Sequence, residues 1–291
     1  VRKDVPLSIQ TIFSVREIQA EADRLRSAGK RIGVVPTMGY LHEGHLSLIR
    51  RAKELADVVI TTIFVNPTQF SVGEDFESYP RDLDADNLRA GEAGADVVFC
   101  PDRREMYPEG YLTYVEVETV TSILEGAFRP THFRGVTTVV AKLFGLTKPH
   151  VAVFGQKDAQ QAFVVRKMVS DLNMDVEIHV EPTVREPDGL AMSSRNVYLN
   201  RAERTAAASL YAALIFAEKQ IQDGERSVEK LSGEMKKMIS DAGATAIDYI
   251  ACVEPDTFTP VEAIHPPRIL ILLAVRFGAT RLIDNISVTF S

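Results

Sequence analysis

Between Ile32 and Val180, short β-branched runs alternate with segments whose apolar residues recur at helical spacing, and no other feature restricts the fold as much. Ile32-Gly-Val-Val-Pro36 reads as a buried strand, Leu46 to Ala56 as a helix, and Val58 to Val65 as a strand of eight residues. The alternation continues through a helix near Leu83 to Ala90, a strand at Val97 to Cys100, a helix after Gly135 and a strand at Val151 to Phe154. A helix over Ala159 to Leu172 and a strand at Val176 to Val180 complete it. Strands separated by helices cannot pair as tight hairpins; they predict an α/β, Rossmann-like, mostly parallel sheet with helices on both faces. Ahead of it, Ser14-Val-Arg-Glu17 has the spacing of a capping box and opens a first helix that stops at Gly29.

Beyond about residue 183 the texture changes. Glu186-Pro-Asp-Gly189 marks a turn, polar-faced helices are expected at 201–223 and 227–241, the second opened by Ser227, and the end is strand-rich at Ala246 to Val253, Ile269 to Val275 and Thr280 to Val288. This predicts a smaller C-terminal α+β domain with antiparallel strands, residues 184–291, after a first domain of residues 1–183. With 33 Lys and Arg against 40 Asp and Glu, the net charge of −7 repels polyanions, so nucleic acid is not an expected partner. A small anion held by local donors is still compatible with it. The longest apolar run, Ile269 to Val275, has seven residues where a membrane helix needs roughly 20, so no membrane span is expected. Cys100 and Cys252 sit in separate apolar runs and read as buried, reduced thiols, Asn285-Ile286-Ser287 as a chance glycosylation match, and the charged, amphipathic start as that of a cytoplasmic protein.

Ligands of open parallel sheets bind beyond the carboxyl ends of the strands, so the loop after each strand is the place to look. The first loop, Pro36-Thr-Met-Gly-Tyr-Leu-His-Glu-Gly-His45, has neither a G-x-G-x-x-G fingerprint nor a P-loop, but it sets His42 and His45 at a helix amino terminus, where a phosphate is favoured. Only two residues separate these histidines, whereas the metalloprotease zinc pair needs three, so no metal is expected there; a structural pair is the other alternative. Phe64-Val-Asn-Pro-Thr-Gln-Phe70 offers the amides of Asn66 and Gln69 for a small polar substrate, or is simply an Asn-Pro turn. Gly155-Gln-Lys-Asp158, with Gln161 one helical turn further on, offers a close backbone approach and the Lys157 charge, or is only a helix start. Met192-Ser-Ser-Arg195, at the junction of the two domains, can clamp a triphosphate and close over it. Gly126 to Gly135, with Arg129, His132 and Arg134, can be part of the site or a structural loop, and the Asp82 and Asp84 carboxylates can be a metal contact or an acidic helix start.

Taken together, these motifs resemble the pantoate–β-alanine ligase family, within the nucleotidyltransferase superfamily that shares H-x-G-H with class I aminoacyl-tRNA synthetases. The resemblance spans nearly the whole chain and rests on Pro36 to Gly39 with His42-Glu-Gly-His45, Phe64 to Phe70, Arg129-Pro-Thr-His-Phe133, Gly155 to Asp158 with Gln161, and Met192-Ser-Ser-Arg-Asn196. Thr131 stands where the family pattern has Gly, and Gln156 where an acidic residue is common. The resemblance implies that (R)-pantoate attacks the α-phosphate of ATP to give pantoyl adenylate and pyrophosphate, and that β-alanine then displaces AMP to form pantothenate. Adenylation turns a poor leaving oxygen into a good one, and the protein's share is positioning plus stabilisation of charge on phosphate oxygens.

By the same resemblance, Met38, Gly39, Tyr40, Leu41, His42, Glu43, Gly44 and His45 line the ATP site, as do Gly155, Gln156, Lys157, Asp158, Val184, Met192, Ser193, Ser194 and Arg195. His45 is the implied proton donor, with His42 and Lys157 beside it, and Gln69 and Gln161 hold pantoate, Gln69 also near β-alanine. Mg²⁺ is implied on the phosphates and a homodimer as the assembly, while the interdomain position of Met192 to Arg195 makes that loop and residues 184–291 an expected lid. Other classes predict different behaviour. A transferase that leaves the nucleotide on its product has no use for the two glutamines, a tRNA-binding module sits badly with the −7 charge, and a metabolite sensor binds ATP without turnover.

Overall fold

The computed structural model describes residues 9–71 and 73–291. Within them six parallel strands form one sheet: β1 (Gln10–Ile12), β2 (Ile32–Thr37), β3 (Val58–Ile63), β4 (Val97–Phe99), β5 (Val151–Gly155) and β6 (Glu177–Glu181), in the order β1-β4-β3-β2-β5-β6. From β2 the chain steps to β3 and β4 on one side and later to β5 and β6 on the other. The loops after β2 and β5 therefore diverge at a topological switch point and leave a crevice between them. β3, Val-Val-Ile-Thr-Thr-Ile, is buried along all but its first residue, as a parallel strand covered on both faces must be.

The covering helices are α1 (Val15–Ser27), α2 (Glu43–Leu55), α3 (Leu83–Ala93), the single turns α4 (Arg103–Met106) and α5 (Glu125–Phe128), α6 (His132–Thr147) and α7 (Ala159–Asp171). The box expected at α1 is half made: Ser14 Oγ accepts from the Glu17 N–H at 3.1 Å without a return bond from the Ser14 N–H to the Glu17 carboxylate, and the next donor, the Val15 N–H, goes to Glu105 Oε2 at 2.7 Å. α6 begins at His132, not after Gly135. Gly135 is a contact glycine rather than a helix start, because a Cβ there would lie 2.5–2.6 Å from backbone atoms of Thr68 and Gln69. β1 escaped the sequence reading because it is three residues long with only Ile12 buried.

The C-terminal part packs α8 (Arg201–Ala207), α9 (Ser209–Gln222) and α10 (Val228–Asp241) on an antiparallel sheet of β7 (Ala246–Val253), β8 (Arg268–Phe277) and β9 (Thr280–Thr289). The single helix expected at 201–223 is two, separated at Ala208, and no residue in the sequence marks that break. Leu210, Leu214, Leu231, Met235 and Ile239 pack on Ile271, Leu273 and Val275. Leu270 and Leu272, on the opposite face of β8, join Val253 and Phe258 in the core of the parallel sheet, where the Phe258 ring lies 5.2 Å from that of Phe163. Burial on both faces is why Ile269 to Val275 is an unbroken apolar run. Among the described residues no helix is long and apolar enough to cross a membrane. Both cysteines are free; Cys252 is buried and pushed up to about 12 by that burial, whereas Cys100 is only half-buried, against expectation.

Charge also joins the two parts. Glu125, 5% exposed, accepts from Arg281 through both carboxylate oxygens at 2.7 Å and from the Tyr249 hydroxyl at 2.8 Å, and Arg281 Nε donates to Asp248 at 2.6 Å. Burial works to raise the Glu125 pKa, but the Arg281 hydrogen bonds and charge bring it below the usual glutamate value. Arg281→Met leaves this buried carboxylate with only the Tyr249 hydroxyl and the more distant Arg129, 4.0 Å away, a loss of about 3–5 kcal/mol expected in urea unfolding. A loss under about 1 kcal/mol would show that the pair behaves as a solvated surface bridge.

Candidate active site

The turn after β2 is built around two imidazoles. His42 is the N-cap of α2 in extended backbone (φ −127°, ψ 175°), and its Nδ1 accepts from the Gly44 N–H at 3.2 Å. His45 Nδ1 accepts in return from the His42 N–H at 3.3 Å, and the ring centroids lie 4.1 Å apart. With both Nδ1 lone pairs spent on backbone, the proton of each neutral ring sits on Nε2 and remains free to donate. Gly44 permits this stacking, since a Cβ there would fall 2.9 Å from His42 Cε1. Burial first, then the Lys157 ammonium, pushes His42 down to about 4. Burial, His42 and Lys157 hold His45 well below the usual value.

The turn in front of the histidines hangs from α3. Asp86 accepts from the Tyr40 N–H at 2.8 Å and the Leu41 N–H at 2.7 Å, and Arg89 donates to the Leu41 carbonyl at 2.6 Å. Gly39 and Tyr40 both take positive φ (84° and 51°) to make the bend. Asp86 and Arg89 were missed at the sequence level; the acidic run Asp82-x-Asp84-x-Asp86 was the available signal. Asp82 itself caps α3 by accepting from the Ala85 N–H at 3.1 Å, in keeping with an acidic helix start.

Asn66 fixes the second loop by donating to Gln69 Oε1 at 3.1 Å and to the Gly135 carbonyl at 3.0 Å, and Tyr107 donates to Asn66 Oδ1 at 2.9 Å. Gln69 Nε2 then points to Met38 Sδ at 3.1 Å. His132 Nδ1 lies 3.1 Å from the Gln69 carbonyl, which also accepts from Arg129 at 3.2 Å, while Arg129 forks onto Glu74 at 2.7 and 2.8 Å. The Arg129–His132 segment is thus a brace behind Gln69. Burial and then Arg129 push His132 to about 4, so it serves as a neutral Nδ1–H donor. Thr131 has φ −98°, a conformation open to any residue, so the missing glycine changes nothing in the backbone.

These loops enclose a cavity of about 950 Å³. Its wall includes Met38, His42, Gly44, His45, Gln69, Gly155, Lys157, Asp158, Gln161, Val184, Met192, Ser193, Ser194 and Arg195, which lie up to 157 positions apart in the chain. Gly39, Tyr40, Leu41, Glu43 and Gln156 are not on that wall: the first three form the turn held by Asp86, Glu43 is exposed and forks onto Arg50 at 2.6 and 3.1 Å, and Gln156 Nε2 donates to Asn285 at 3.1 Å. Arg195 is held by Asp75 in a two-pronged pair at 2.8 and 2.9 Å, and Ser194 Oγ reaches the Tyr40 carbonyl at 3.3 Å. Phe64, Val136, Val139, Val140, Leu143 and Phe154 give the cavity an apolar side.

A parallel sheet of this order, with an H-x-G-H turn on its central strand and a lysine turn on the neighbouring strand, defines an enzyme of the H-x-G-H nucleotidyltransferase class. A sequence profile described as Pantoate-beta-alanine ligase matches residues 10–287. The pantothenate synthetase of Moorella thermoacetica is 55% identical over 278 residues, covering 96% of this chain and 97% of its own, and that of Chloroherpeton thalassium is 53% identical over 279 residues, covering 95% and 98%. Among solved structures, pantothenate synthetase from Thermus thermophilus superposes with TM-score 0.90 at 45% identity, covering 96% of this chain and 99% of its own. The Francisella tularensis pantoate-beta-alanine ligase, solved with beta-gamma ATP and beta-alanine, gives TM-score 0.80 at 36% identity, covering 96% and 97%. The chain belongs to the pantoate–β-alanine ligase family. Its activity is the ATP-dependent condensation of (R)-pantoate with β-alanine to pantothenate through pantoyl adenylate, with release of AMP and pyrophosphate.

The depressed histidines have a consequence for stability. Below the ordinary histidine pKa of 6.5, the unfolded chain takes up protons that folded His42 and His132 refuse, so stability is expected to fall as pH drops from 6.5 toward 4. Urea midpoints at pH 7 and pH 5 measure this, and His132→Gln is expected to shrink the difference. An equal difference in wild type and variant would mean that His132 titrates alike in both states.

Proposed function

We propose that the cavity carries out both half-reactions with the following division of labour. The Nε2–H groups of His42 and His45, the Lys157 ammonium, Ser193, Ser194 and Arg195 hold the triphosphate of ATP, and Gln69 and Gln161 hold pantoate against the apolar wall, which suits its gem-dimethyl carbon. Supporting this reading is the meeting, on one cavity, of a neutral histidine pair and Lys157 with two glutamines from separate loops. The attacking pantoate carboxylate loads charge on the phosphate oxygens, and fixed donors in a partly dry site stabilise it. With both imidazoles held below their ordinary pKa, His45 offers its Nε2–H to the phosphate oxygens as a hydrogen-bond donor.

Arg195 reaches the phosphates by exchanging Asp75 for them. The other carboxylates of the wall are engaged: Glu74 with Arg129, Glu125 with Arg281, Asp284 with Arg185, and Glu203 with the Asn200 N–H. Asp158 is only loosely paired, 3.9 Å from Lys157. This donor set would suit Mg²⁺ carried in on phosphate oxygens and water, and Asp158 is the carboxylate of the wall that could take up a water bond without breaking a close ion pair. When bound, the ion neutralises charge on the triphosphate.

Residues 184–291 form the lid in this proposal, with Met192 to Arg195 as its moving edge, closing because an acyl adenylate exposed to water hydrolyses before the amine arrives. The assembly is a homodimer, as the family resemblance implies, and the compartment the cytoplasm, in keeping with two free thiols. Solution scattering tests the lid and the dimer together. The mass is expected to be twice the 32.2 kDa of the chain, with a smaller radius once ATP and pantoate are added; a monomer mass sinks the dimer, and an unchanged radius sinks the lid.

Pantoate-dependent exchange of pyrophosphate into ATP, without β-alanine, tests the division of labour. Lys157→Ala is expected to slow it by roughly 10² to 10³, about 2.7–4 kcal/mol of lost transition-state stabilisation. Gln161→Ala is expected to raise KM for pantoate more than KM for ATP. Near-wild-type exchange in the first variant removes Lys157 from the phosphates, and the reverse order of KM effects in the second means the two pockets are swapped.

A further inference from the structure

One side chain of β9 reaches across to the turn that carries Lys157. Asn285, 3% exposed, donates through Nδ2 to the Gln156 and Lys157 carbonyls, each at 2.9 Å, and its Oδ1 accepts from Gln156 Nε2 at 3.1 Å. These groups belong to the single 3₁₀ turn Gln156–Asp158 between β5 and α7, which has no side-chain cap of its own. A carboxamide can offer two N–H bonds while accepting on its oxygen; a carboxylate would face two carbonyls with like charge, and alanine would leave both without this partner.

Asn285 is itself held in place. Its N–H donates to Asp284 Oδ1 at 2.8 Å, Asp284 takes a two-pronged bond from Arg185 at 2.6 and 3.0 Å, and Arg185 also reaches the Asn285 carbonyl at 3.3 Å. The Arg185 guanidinium stacks 4.0 Å over the Tyr211 ring. A chain of bonds therefore runs from the start of the C-terminal part, through β9, to the backbone of Lys157.

We propose that Asn285 is a positioning residue for the adenylation step, fixing the turn from which Lys157 reaches the triphosphate. This rests on the reading of Lys157 as a phosphate contact. A lysine is a point charge on a flexible stem, so the place of its backbone turn sets where the charge can go, and a 1 Å error in a reacting constellation costs about 100-fold. The C-terminal part then does more than cover the cavity: it completes the cationic turn of the parallel-sheet part.

A double-mutant cycle on pantoate-dependent pyrophosphate exchange tests this, with Asn285→Ala and Lys157→Ala made singly and together. Asn285→Ala is expected to lower kcat for exchange by roughly 10- to 100-fold, to leave KM for pantoate within about twofold, and to have no further effect when Lys157 is already alanine. Effects that multiply in the double variant, or a pantoate KM that rises as far as kcat falls, would show general damage to the fold and overturn the proposal. Wild-type exchange in Asn285→Ala with a damaged Lys157→Ala overturns the positioning role alone, and wild-type exchange in Lys157→Ala overturns both readings. Should Asn285→Ala fail to fold, Asn285→Asp, of equal size but without the Nδ2 donors, goes through the same cycle with the same expected non-additivity.

Discussion

The reciprocal capping of α2 by its own histidines is the interaction on which the site depends. Each Nδ1 satisfies a backbone N–H that the first turn of a helix would otherwise leave bare, so the rings help start the helix and are oriented by it. Protonation at Nδ1 would destroy that bond, and Lys157 opposes it from outside. Helix start, tautomer and charge state are therefore one property. The spacing of the motif follows from it: His42 must be the N-cap, His45 must lie one turn on, and Gly44 must have no Cβ where the His42 ring lies.

Around this turn the fold supplies aim and neutralisation. The strand order sends the loops after β2 and β5 apart, so the imidazoles and Lys157 face one crevice from neighbouring strands. The arginines of its rim are already matched, Arg129 with Glu74, Arg195 with Asp75 and Arg281 with Glu125, whereas Lys157 lies 3.9 Å from Asp158 and is only loosely paired. The same matching joins the two parts of the chain. An acidic protein can in this way bind anions without a positive overall field.

The parallel sheet was legible because β-branched runs and helical periodicity are local, and β3, β5 and α7 lie within a few residues of their expected bounds. β1 was not, since three residues at an edge carry too little pattern, and Gly135 misled because a glycine required by tertiary contact looks the same in sequence as one that punctuates a helix. Much of the cavity wall was legible too, through short motifs with unusual residue pairs such as His42 and His45. What escaped were the supports. Asp86, Arg89, Glu125, Arg281 and Asn285 act through partners between 33 and 156 positions away, and a lone buried Asn or Glu has no local signature. Asn285 drew notice only as a glycosylation match, yet it lies buried against the Lys157 turn.

The H-x-G-H turn works as described only if its histidines are neutral Nε2–H donors, and nitrogen-15 NMR of the imidazoles reads this directly. At pH 7, His42 and His45 are expected to show a protonated Nε2 and a bare Nδ1, with His42 unchanged until the pH nears about 4. An imidazolium at either position at pH 7, or a proton on Nδ1, would contradict the capping arrangement and the donor role built on it.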